Sequence, residues 1–191
     1  MLNHGISTGA LFLLVGMVYD RAHTRMIADF GGVAAKMPIF TTFFMIVTLS
    51  SIGLPLTNGF VGEFWILNGA WISGFGWGRL YASLASLGVL LGAVYMLWMV
   101  KRVFWGPVNP DEDSGTAHLH TDLAPHEIAV MVPIVALILW MGLHPRTFVA
   151  ISEAPVARLL AEAKAPVPRM AAPKPAPSLD HGAAPAAEAH R

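Results

Sequence analysis

The sequence predicts an all-α, polytopic membrane helix bundle of about four transmembrane segments, the second of them discontinuous. Three observations predict it. More than half of the 191 residues are hydrophobic and only 13% are charged, about half the charged fraction of a soluble domain. The hydrocarbon core of a bilayer is about 30 Å thick and needs roughly 20 apolar residues per helix. Residues 37–62, 80–100 and 128–145 meet that requirement without a single Asp, Glu, Lys or Arg, or nearly so in length. The first of these runs carries Gly53-Leu54-Pro55-Leu56-Thr57-Asn58-Gly59 in its middle, where proline removes a backbone donor and glycines flank it.

The first span covers residues 1–19. It is apolar from Ala10 onward but starts Asn3-His4-Gly5, with Ser7 and Thr8 one turn later. It lacks a basic leading region and its polar residues lie at the wrong end for a secretory signal, so it reads as a mature membrane helix. An exposed connector follows, with Asp20, Arg21, Arg25, Asp29, the Gly31-Gly32 pair and Lys36.

The second span, 38–71, opens on Pro38, a residue suited to a first helical turn. Its break near residues 54–58 divides it into one helix over 38–53 and another over 58–71, with Asn58 as the N-cap. In hydrocarbon each freed backbone group costs several kcal/mol, so such a break requires burial in protein or a water-filled cavity. Helices broken in this way are typical of transporters, where half-helix ends serve ions.

Gly74, Gly76 and Gly78 make a short turn into the third span, 80–104, with Trp98 and Trp105 as interfacial aromatics near its end. Pro107, Pro110 and Asp111-Glu112-Asp113 predict a polar, acidic loop before the fourth span, 125–144. Residues 148–163 alternate Val149, Ile151, Val156, Leu159 and Leu160 with Glu153, Arg158 and Glu162, the pattern of a short interfacial helix. The membrane domain thus covers 1–163. The tail, 164–191, is dominated by alanine and proline and is expected to be disordered. Arg21, Arg25, Lys36, Lys101 and Arg102 outnumber the basic residues on the other side, which places the first and third loops in the cytoplasm.

Several function classes are excluded. Without cysteine the chain holds no disulfide, iron–sulfur cluster or catalytic thiol. A net charge of zero gives no hint of a nucleic-acid partner, and no glycine-rich phosphate loop is present to bind NADH or flavin. His118, His120 and His126 share one loop, but no thiol or evident carboxylate set accompanies them, so a metal site is disfavoured.

Glu63 is the one acid inside the hydrophobic part of a span, and it follows the break by about one turn. An ionised side chain at mid-bilayer costs at least about 3 kcal/mol, so such residues usually face the bundle interior and mark ion pathways. A proton carrier needs two protonation states close enough in energy for a neighbouring charge to switch them, and Glu63 is the candidate. The competing role is a glutamate neutralised by a structural partner or reaching to the surface. His4 lies at helical spacing from Ser7 and Thr8, which puts the three on one face. With an unperturbed pKa of about 6.5, imidazole passes protons in either direction, so His4 is a candidate relay, against the alternative of a packing residue. Ser7 and Thr8 are supporting candidates. Lys101 and Arg102 end the third span as snorkelling anchors, with Lys101 a further candidate for setting the field at a channel mouth.

The run Asn3-His4-Gly5-Ile6-Ser7-Thr8-Gly9-Ala10-Leu11-Phe12, together with Arg21-Ala22-His23-Thr24-Arg25, resembles the late-helix signature of the subunit M (chain 4) family of respiratory NADH:quinone oxidoreductase. So do Gly53-Leu54-Pro55 followed by Asn58-Gly59-Phe60-Val61-Gly62-Glu63-Phe64, Tyr95-Met96-Leu97 with Lys101-Arg102-Val103-Phe104, and Asp122-Leu123 with Glu127 and Trp140-Met141-Gly142. The resemblance covers residues 1–163 in family order. It implies an antiporter-like, proton-translocating, non-redox subunit in the membrane arm of complex I. The partners it implies are the other membrane-arm subunits, the N-terminal part of subunit M, and lipid. NADH, FMN, iron–sulfur clusters and quinone are then expected in other subunits, and the location is the bacterial plasma membrane. Family members use a chain of buried Glu, Lys and His along the mid-membrane plane, onto which this sequence maps His4 and Glu63. Glutamate at position 63 favours subunit M over its sister subunits and the antiporters, which usually carry lysine. The start corresponds to the family's eleventh helix, so the resemblance implies a gene fragment, a split subunit needing an N-terminal partner, or a reading frame assigned too short. The alternatives are a fragment of a multisubunit cation/proton antiporter and a purely structural membrane subunit.

Overall fold

A computed structural model describes residues 1–74, 76–108 and 114–164. Among these the chain is helical throughout, with no strand: α1 (Leu2–Ala22), α2 (Val33–Lys36), α3 (Pro38–Ser51), α4 (Asn58–Ile72), α5 (Gly78–Phe104), α6 (Pro125–Leu143) and α7 (Arg146–Lys164). A short 3₁₀ turn, Ile27–Asp29, precedes α2. The predicted all-α membrane bundle is therefore present. Helices α1, α5 and α6 are each long and apolar enough to cross a membrane. At 1.5 Å per residue, the 14 residues of α3 and the 15 of α4 reach only about 21 and 22 Å, so neither half of the second span crosses a bilayer alone.

The helices start and stop for local reasons. Pro38 and Pro125 stand at first helical positions, where the missing N–H would have been unpaired anyway. α1 stops at His23, which takes a left-handed φ of 53° and returns its N–H to the Tyr19 carbonyl. At the start of α6, Glu127 reaches back to the Ala124 N–H at 2.6 Å, the glutamate half of a capping box.

Residues 1–152 form one compact unit. Its apolar core joins Leu14 of α1, Met37, Phe40, Phe44 and Val47, Phe104 of α5, and Met131 and Ile138 of α6. Phe104 lies between Phe40 and Phe44, with ring centroids 5.9 and 4.7 Å away. Helix α5 otherwise leaves Leu84, Leu87, Leu91 and Trp98 exposed. That surface suits hydrocarbon or further helices as its solvent rather than water. α7 continues as helix through Lys164, with Pro155 inside it.

Two expectations change. The connector after the first span is not simply exposed. Gly31, Gly32 and Val33 are buried, because Thr116 accepts from the Gly31 N–H at 3.0 Å and donates to its carbonyl at 3.1 Å, while Lys36 Nζ donates to the Thr116 carbonyl at 2.7 Å. The third loop likewise turns inward, burying Ser114, Thr116, Leu119 and Leu123. Its acidic cluster, Asp111-Glu112-Asp113, lies outside the described residues, as does the alanine- and proline-rich tail from 165 onward.

The two connectors meet at one end of the bundle around Arg21. Its guanidinium donates to both Glu127 oxygens, at 2.8 and 2.6 Å, and to the Asp122 carbonyl at 3.2 Å. The Asp122 carboxylate in turn accepts from the Ile39 and Phe40 N–H groups at 2.7 and 3.0 Å. A residue 82 positions away thus caps α3, which has no capping side chain of its own.

Candidate functional site

The break between α3 and α4 is built from two successive turns. At the end of α3 the Leu54 N–H donates to the Leu49 carbonyl at 2.9 Å and the Gly53 N–H to the Ser50 carbonyl at 3.2 Å. With Gly53 at φ 76°, this is a Schellman termination. Pro55 follows, and its ring prevents resumption of the helix. The Thr57 N–H then closes a turn on the Leu54 carbonyl at 3.1 Å, with Pro55 and Leu56 as its central pair. Leu56 takes φ 78°, the position a type II turn usually gives to glycine. On the α6 side Gly142 leaves space for this loop, since a Cβ there would collide with the Leu56 carbonyl.

Residues 54–58 were expected to form the break; it runs over 52–57, and α3 ends two residues earlier than predicted, at Ser51. Gly53 and Pro55 lie within it, whereas Asn58 and Gly59 belong to the first turn of α4. The N-cap is Thr57, without a side-chain capping bond, and Asn58 is the first helical residue. The reason is a better use for its carboxamide. Fully buried at 0% exposure, Asn58 accepts at Oδ1 from Ser50 Oγ at 2.5 Å and from Ser7 Oγ at 3.4 Å. Its Nδ2 donates to the Asn3 carbonyl at 3.2 Å, and Asn3 Nδ2 returns a bond to the Asn58 carbonyl at 2.7 Å. Ser7 and Ser50 also meet each other at 3.2 Å. The polar residues of α1 thereby satisfy the buried Asn58 carboxamide and tie α1 to the first turn of α4, as buried polar groups in a membrane interior require.

Glu63 lies one turn further along α4. Its carboxylate folds back over the break beside Gly53, and a Cβ on Gly53 would collide with Glu63 Oε2. Among the described residues Glu63 has no hydrogen-bonding or ion-pairing partner. It faces a cleft of about 610 Å³ that also contains Asn3, His4, Ser7 and Thr8 from α1 and Tyr95 from α5. The glycines Gly59 and Gly62 bring the helices close here. A Cβ on Gly59 would meet the Ser50 carbonyl, and one on Gly62 would come within 2.9 Å of Asn3 Nδ2.

The structure therefore gathers most of the candidates in one place. His4, Ser7 and Thr8 all line the cleft, as their spacing predicts. Within it Thr8 Oγ1 lies 3.2 Å from His4 Nδ1, whereas Ser7 turns to Ser50 and Asn58. Lys101 does not join them. It is exposed in the last turn of α5, six residues and about 9 Å of helix beyond Tyr95, while neighbouring Arg102 stacks over Trp98 at 4.7 Å. His118, His120 and His126 do not converge into a cluster of three potential metal ligands among the described residues. Sequence reasoning missed Ser50 and Tyr95. Their signal was present, since Ser50 lies two residues before the break and Tyr95 places a hydroxyl within the third span.

These features define a polytopic membrane protein whose interrupted helix is closed by buried polar side chains, an architecture used by transporters. Residues 1–91 match the family described as NADH:quinone oxidoreductase/Mrp antiporter, TM. It is 46% identical over 160 residues to NADH-quinone oxidoreductase subunit M of Rickettsia prowazekii, an alignment covering 84% of this chain and 31% of the relative. It is 40% identical over 164 residues to NADH-ubiquinone oxidoreductase chain 4 of Arabidopsis thaliana, covering 86% and 32%. The chain of Marchantia polymorpha with that same name gives the same figures. The resemblance to subunit M read from the motifs therefore stands, and the chain spans about a third of the length of these curated relatives.

Proposed function

We propose that this chain forms part of the proton-translocating membrane arm of NADH:quinone oxidoreductase, which couples electron transfer from NADH to quinone to proton pumping. The carrying observation is Glu63: among the described residues a carboxylate without a partner, laid against a broken helix in a cleft that also holds His4. A group so placed exchanges protons when water or a neighbouring charge reaches it, and the cleft supplies the space. His4, steadied by Thr8, relays protons along the same cleft. The similarity to subunit M and chain 4 supports this assignment.

In this reading the chain is a non-redox subunit of the enzyme complex and binds neither NADH, FMN, iron–sulfur clusters nor quinone, which belong to other subunits. Its partners are those membrane-arm subunits, the rest of a subunit M about three times as long, and lipid against the apolar faces. The membrane is the bacterial plasma membrane, with the first and third loops cytoplasmic. The matched family also includes Mrp antiporters, which makes a cation/proton antiporter fragment the second reading. In sealed membrane vesicles, Glu63→Gln is expected to abolish or sharply lower NADH-driven proton uptake while the complex still assembles. Unchanged uptake removes the proposed role, and sodium-driven proton movement without NADH oxidation favours the antiporter.

A further inference from the structure

We infer that Asn58 is a positioning residue for Glu63, setting the direction in which the carboxylate-bearing half-helix leaves the break. This rests on the proton-transfer reading of Glu63. Asn58 begins α4, and its side chain is held from two other elements at once: α1 through Asn3 and Ser7, and α3 through Ser50. The reciprocal bonds with Asn3 pin both its side chain and its backbone carbonyl. Gly59 and Gly62 let α4 approach closely enough for these bonds to form, since a Cβ at either would strike Ser50 or Asn3.

A purely packing role does not need this chemistry. A buried carboxamide brings little net stability over a well-fitted apolar side chain, whereas leaving its partners unpaired is costly. What directional bonds add is orientation. Glu63 stands five residues beyond Asn58, about 7.5 Å along the helix, so a tilt of about 10° at the first turn moves the carboxylate by about 1 Å. Misplacing a reacting group by that distance costs as much as about a hundredfold in rate. Asn58 therefore acts through Glu63 and touches the moving proton only by way of it.

The test uses the assembled complex in sealed vesicles and reads protons taken up per NADH oxidised, a ratio that loss of protein alone leaves unchanged. Asn58→Leu is expected to lower the ratio about tenfold or more, and Asn3→Ala and Ser50→Ala to lower it less. In a Glu63→Gln background Asn58→Leu is expected to add nothing. If Asn58→Leu prevents assembly, the Asn3 and Ser50 variants carry the same test. A wild-type ratio in the variants that assemble, alongside a defective Glu63→Gln, overturns the inference and spares the reading of Glu63. A further drop from Asn58→Leu on top of Glu63→Gln also overturns it. If Glu63→Gln itself pumps normally, the reading beneath it falls first.

Discussion

Gly53→Ala separates the geometry of the break from its mere existence. Two costs follow from the structure. At φ 76° an alanine pays about 1–2 kcal/mol for the left-handed conformation, and its Cβ takes the space now held by a Glu63 carboxylate oxygen. The first cost falls on stability and is small enough for the bundle to survive. The second falls on the end of a flexible side chain, which swings away and leaves the break. The expected outcome is a complex that assembles in near-normal amounts, oxidises NADH, and pumps fewer protons per electron.

A control comes from the same helix as Glu63. Gly69 is helical, and a Cβ there meets nothing within 4 Å, so Gly69→Ala should pump normally and gain up to about 1 kcal/mol of helix stability. The assay is the ratio of proton uptake to NADH oxidation in sealed vesicles, with complex quantified on a native gel. If Gly53→Ala gives the wild-type ratio, the contact between Gly53 and the carboxylate has no part in function. If it prevents assembly, the strain estimate is wrong by several kcal/mol.

Two further outcomes follow. Gly142→Ala drives a Cβ into the Leu56 and Thr57 backbone, an overpacking cost of about 1–3 kcal/mol; it should lower thermal stability in detergent and the pumping ratio together, because the break moves with the loop. Asp122→Ala frees the Ile39 and Phe40 N–H groups and should cost about 0.5–2 kcal/mol, visible as a lower melting temperature, with the pumping ratio unchanged in the complex that remains because the Glu63 cleft lies elsewhere.

Apolar runs and proline made the helices legible, since span length and helix starts depend on local composition. The break was legible too, because Gly53 and Pro55 terminate a helix whatever surrounds them. Its details were not. Asn58 ahead of an apolar run fits an N-cap from sequence alone, and only the placement of Ser7 and Ser50 around it shows why its side chain turns inward. The exposed reading of the first connector failed for the same reason: nothing near Gly31 announces Thr116, 85 positions later. Nor does local sequence pair Arg21 with Glu127 across 106 residues.

The division of polar residues within the bundle bears on how its two ends differ. Arg21, Asp122 and Glu127 are tied to one another and to the starts of α3 and α6, so their charges are spent on fastening helices. Asn3, Ser7, Ser50 and Asn58 spend neutral groups on fastening the break. Among the described residues Glu63, the one acid inside the hydrophobic part of a span, is left without such a bond. A carboxylate engaged by an arginine would be held in one protonation state by its partner. Neutral amides and hydroxyls fix the backbone around Glu63 without adding a charge that would lock it, and that combination of a rigid frame with an uncommitted acid is what a switchable proton site requires.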